Sequence, residues 1–129
     1  MSRGKLLQDQ PAPPGCIDLD TPLAKQFGFT SDKFEGYLWQ EKDIVTISFI
    51  ESLQPNQGNL KKLFDAIEAK RFHIIVPTPL GRMIDICLKR GFKPCIINMN
   101  GMGTNCLISA ALFERAKKSI FEKTGKQTE

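Results

Sequence analysis

The chain has 129 residues, 41% of them hydrophobic and 25% charged, enough apolar material for one packed domain and too much for an intrinsically disordered chain. No run of 18 apolar residues occurs, and the first seven residues lack the apolar core of a secretory signal, so a non-membrane, cytoplasmic protein is expected. The net charge of +4 mildly favours an anionic ligand or partner, although basic pairs such as Lys61-Lys62 and Lys89-Arg90 also suit solvated helix ends.

Residues 1–16 contain Pro11, Pro13, Pro14 and Gly15 with few apolar side chains, and they read as a flexible arm with order beginning near Ile17. Asp20 and Thr21 followed by Pro22 open a short helix that Gly28 ends. Residues 34–40 and 44–50 are β-branched and aromatic runs separated by Glu41, Lys42 and Asp43, which predicts an antiparallel hairpin. Tyr37 and Trp39 alternate on one face of the first run, whose exposed edge could pair with a second copy, and the second run reads as a central strand covered on both faces.

After the turn at residues 54–58, Leu60, Leu63, Phe64 and Ile67 recur at helical spacing to about Lys70. Residues 72–76 form the next strand, giving a parallel strand-helix-strand unit and a mixed sheet. A second helix carries Met83, Ile84, Ile86, Cys87 and Leu88 as its buried stripe and stops at Gly91. Residues 92–98 return as a strand, residues 98–105 read as a glycine-rich loop, and Leu107, Ile108, Ala111, Leu112, Ala116 and Ile120 predict a terminal helix to about Phe121. The fold class is therefore α/β with a mixed sheet and a ββαβαβ core. Its domain plan is an arm at 1–16, one domain at 17–124 and a frayed tail at 125–129.

Four cysteines without a C-x-x-C pair and a lone histidine, His73, argue against zinc; no metal and no disulfide is expected. The turn at residues 54–59 lies between a strand and a helix N-terminus, where free N–H groups and the helix dipole suit a phosphate, and Gly58 permits close backbone approach. An ordinary helix cap is the alternative there. Glu51, at the end of the second strand of the hairpin, is a candidate general base or else a solvated strand-end carboxylate.

The succession of strand, Gln57-Gly58 turn, amphipathic helix, strand and second helix closing in Gly91-Phe92 resembles the core of the GNAT acyltransferase superfamily. Gly36, Tyr37 and Trp39, the run Ser48 to Ser52, Gly58-Asn59, and Val76 to Pro79 with Arg82-Met83 resemble the small GNAT-like acetyltransferases of phage and prophage genomes. The resemblance spans about residues 36–92. It implies acetyl-CoA as co-substrate and an unknown amine as acceptor. It places Leu53, Gln54, Gln57, Gly58 and Asn59 along the pantetheine and pyrophosphate path and Glu51 as base, with backbone amides near Leu53 polarising the thioester and Cys87 where the family has a tyrosine general acid. The turn departs from the family pattern in having Asn59 and Leu60 without a second glycine. Cys87 also falls on the buried stripe. The competing expectation is a catalytically inactive GNAT-like module that binds a protein or nucleic acid, with its oligomeric state open.

Overall fold

In a computed structural model, residues 15–54, 57–99 and 101–117 are described. The expected arm lies outside them except at Gly15 and Cys16, which belong to the first strand. The chain is mixed α/β, with six strands and four helices among the described residues. It divides into two compact units, Met1–Phe72 and His73–Glu129.

The first unit contains β1 (Gly15–Asp18), α1 (Pro22–Phe27), β2 (Phe34–Glu41), β3 (Ile44–Ser52) and α2 (Asn59–Ala69). Thr21 caps α1, its hydroxyl accepting the Ala24 N–H at 3.3 Å, and Pro22 follows where a missing N–H costs nothing. Gly28, at φ 78°, turns the chain left-handed and donates its N–H to Lys25. β2 and β3 form the expected hairpin, with Glu41 opposite Ile44 and Lys42 in the turn at φ 56°.

The outer edge of β2 is not free: β1 pairs with it antiparallel, Ile17 opposite Leu38. A proline-rich approach hid this four-residue strand in the sequence. The inner face carries Phe34, Leu38, Val45 and Ile47; α2 packs against β3, α1 packs against α2 and β1, and Phe27, Leu63, Phe64 and Ile67 of these helices are buried. Each such side chain contributes about 2 kcal/mol through its removal from water. Phe27 and Phe72 add an edge-to-face contact at 5.8 Å.

The other face of β3 is open, contrary to the two-sided burial expected: Phe49 is 61% exposed. A bulge explains its position. Tyr37 pairs with Phe49 but Trp39 pairs with Thr46, so one residue of β2, Leu38, faces two of β3, and Phe49 moves to the outward side. The neighbouring Gly36 has φ 116°, and a side chain there would fall on the carbonyl oxygen of Phe49 and within 2.9 Å of Ile50 Cα.

The second unit contains β4 (His73–Pro77), α3 (Arg82–Lys89), β5 (Lys93–Met99), β6 (Met102–Ile108) and α4, residues 110–117 of the described chain. Residues 98–105 are therefore not a loop. Met99 pairs with Met102, with Gly101 at φ 82° between the two strands, so the segment is a hairpin. β6 lies between β4 and β5 and is antiparallel to both. Leu107 and Ile108, expected in a helix, end β6. α4 starts at residue 110, and residues 118–121 of the expected helix lie outside the described residues.

Ser109 joins these elements. Its hydroxyl accepts the Ile74 N–H at 2.7 Å and donates back to the Ile74 carbonyl, while its own carbonyl receives the Phe113 N–H in the first turn of α4. In α3 only Cys87 of the predicted stripe is fully buried; Met83, Ile84 and Ile86 are half-buried and Leu88 is exposed. Pro94 sits opposite Leu107 on β5, the outer strand of this unit. Counting from the Met99–Met102 pair, its missing N–H would point away from β6. No helix among the described residues is long and apolar enough to cross a membrane.

Candidate functional site

The junction from β3 to α2 is built from residues 51–59, of which 55 and 56 lie outside the described set. β3 delivers the chain past Ser52, and the Leu53 N–H is held by the Lys33 carbonyl at 2.7 Å. The Gln54 amide donates to the Asp32 carbonyl at 3.0 Å and accepts from the Asn59 amide at 3.5 Å. Asn59 is buried, so its side chain turns inward and ties off the junction through Gln54. Gln57 and Gly58 are exposed.

Gly58 enters α2 at φ 74°, and no side chain among the described residues caps the helix. A side chain at Gly58 would meet no protein atom within 4 Å, so within the chain its glycine requirement is conformational. The first turn of α2 has no acidic residue and carries Lys61, paired with Asp65 at 3.3 Å, and the exposed Lys62. An uncapped helix N-terminus with lysines nearby attracts anions through its N–H groups and dipole.

Of the residues singled out from sequence, Glu51, Leu53, Gln54, Gln57, Gly58 and Asn59 fall in the first unit and Cys87 in the second. Glu51 is exposed and stands directly opposite Glu35 on β2. Glu35 was missed, although counting back from the Glu41–Ile44 closure with one bulge identifies it. Of the backbone amides near Leu53 expected to polarise a carbonyl, the Leu53 N–H itself donates to the Lys33 carbonyl. Cys87 is buried, and removal from water pushes its thiol up to about 12, against the opposing pull of Arg90. A proton held that tightly is poorly suited to donation at neutral pH. His73 begins β4, half-buried.

A second feature lies wholly in the second unit: a recess of about 470 Å³ lined by Pro79, Cys95, Ile96, Asn105 and Cys106 among others. Cys95 stands directly opposite Cys106, and burial, with Cys95 beside it, raises the Cys106 thiol. Among the described residues no group of three or more His, Cys, Asp or Glu could hold a metal ion. Comparison with protein-family models, curated proteins and solved structures finds no match.

Proposed function

We propose that this chain binds acetyl-CoA at the β3–α2 junction and transfers the acetyl group to an amine, as a small GNAT-like N-acyltransferase. The observation that carries the reading is the α2 N-terminus, uncapped among the described residues, entered through left-handed Gly58 and free of acidic residues in its first turn. It offers N–H groups and a positive dipole end to a pyrophosphate. Leu53, Gln57 and Gly58 line the approach, while Gln54 and Asn59 hold the junction closed through their mutual hydrogen bond. The sheet and helix order of the resemblance adds the reaction class.

In this reading the neutral amine attacks the thioester carbonyl, Glu51 takes the proton that the nitrogen loses, and CoA leaves as its thiolate. Glu51 suits a proton acceptor open to an incoming substrate because it is exposed on the strand that leads into the junction. Cys87 packs and has no proton-transfer step.

The tight hold on the Cys87 proton favours a second reading, a GNAT-like module that retains acetyl-CoA or a protein or nucleic-acid partner without turnover. A thermal-shift titration separates the two in combination with a free-thiol assay. At a hundredfold excess over Kd, acetyl-CoA is expected to raise Tm by about 10 °C. Stabilisation with CoA release upon adding amines supports the enzyme, stabilisation alone supports the module, and no shift removes both CoA-based readings.

A further inference from the structure

Both the sole tryptophan and the sole tyrosine of the chain, Trp39 and Tyr37, lie on the open face of the β1–β2–β3 sheet. Each is 38% exposed, beside the more exposed Phe49. The bulge at Leu38 brings Tyr37 and Phe49 together, their rings 6.5 Å apart and tilted by 38°. Large aromatic side chains gathered on a solvent-facing sheet are a mark of interaction surfaces.

Three acidic residues share this face of the sheet with the rings. One register position beyond Tyr37 and Phe49 on the same face, Glu35 stands directly opposite Glu51, and on the β1 side Asp18 stands opposite Tyr37. All three carboxylates are exposed. Directly opposed like charges weaken a sheet, so the Glu35–Glu51 pair works against the hairpin that carries it unless a cation lies across both. In a chain of net charge +4, the described charged residues named on this face are acidic.

We infer that the Tyr37–Trp39–Phe49 face docks a lysine-bearing segment of a partner protein. Alkyl stems of lysine lie against the rings, and their ammonium groups reach the Glu35–Glu51 pair and Asp18. Charge complementarity selects this occupant. The open sheet face favours an extended segment over an enclosed small molecule. The inference does not depend on acyl transfer, because it concerns binding without an acyl donor.

The probe is the peptide acetyl-KGKGK-amide, titrated without acetyl-CoA while Trp39 fluorescence is read. The matched peptide with norleucine for lysine and 1,5-diaminopentane serve as comparisons. A saturable change with the lysine peptide is expected, at least tenfold weaker for the norleucine peptide and for the diamine. Glu35→Gln is expected to raise Kd at least fivefold, and Phe49→Ser likewise, whereas Glu114→Gln, in the other unit, leaves it unchanged. Sheet integrity in each variant is checked by circular dichroism. Equal response to both peptides, equal affinity for the diamine, or unchanged binding by folded Glu35→Gln overturns the inference. So does concentration-dependent dimerisation that Phe49→Ser abolishes, since a second copy would then be the occupant. Loss of acetyl-CoA binding with lysine-peptide binding intact would count against the proposed activity alone.

Discussion

Gly36 illustrates how one residue fixes the geometry around it. At φ 116°, with the Phe49 carbonyl where a side chain would begin, Gly36→Ala combines left-handed strain with backbone overlap. It is expected to cost about 2–4 kcal/mol in a urea unfolding titration. Ser109 acts through hydrogen bonding. Ser109→Ala leaves the buried Ile74 N–H without its 2.7 Å hydroxyl acceptor, a loss of about 1–3 kcal/mol in the same measurement. Cys87 gives a pH signature. Its folded-state thiol is pushed up to about 12 from an ordinary 9, so below pH 9 both states are protonated and its contribution is fully present. Between pH 9 and 12 the unfolded thiol ionises while the folded one keeps its proton, and stability falls as pH rises. The stability difference between the chain and Cys87→Ala should therefore shrink across that window.

At the level of elements, α2 is the sharpest test of the proposed site. Gly58→Ala retains space for its side chain but must hold φ 74°, an expected cost of about 1–2 kcal/mol. A larger loss of acetyl-CoA affinity than of stability would tie the helix entry to the cofactor. α1, the β2–β3 hairpin, α2 and α3 were legible because their periodicity and punctuation agree: Thr21-Pro22 with Gly28, and the spacing of Leu63, Phe64 and Ile67. The β5–β6 hairpin was not, because Gly101 and Gly103 together suggested a loop. Leu107 and Ile108 extended a helical spacing by coincidence, although they are the inward end of a strand. β1 was illegible for another reason: four residues have too little pattern of their own, and their pairing with β2 creates the strand.

For the whole molecule, the candidate site was readable as a position more than as a mechanism. Sequence spacing located Gly58 and the α2 N-terminus, but not the inward turn of Asn59, the capture of the Leu53 N–H by Lys33 or the facing of Glu51 by Glu35, all of which arise from tertiary pairing. Activity divides along the same line. If acetyl transfer occurs, Glu51→Gln should lower kcat by 10²-fold or more near neutral pH while leaving acetyl-CoA stabilisation intact, read by CoA release and thermal shift on one preparation. The outer strand of the second unit has a different consequence. With Pro94 in β5, the row of groups facing away from β6 has a gap in its donors, and an incoming strand cannot copy the ladder past that point. Pro94 thus acts as a chain terminator for templated growth. Pro94→Val, which restores a donor to an apolar edge, is expected to shorten the lag before thioflavin-positive fibrils form under mildly denaturing conditions.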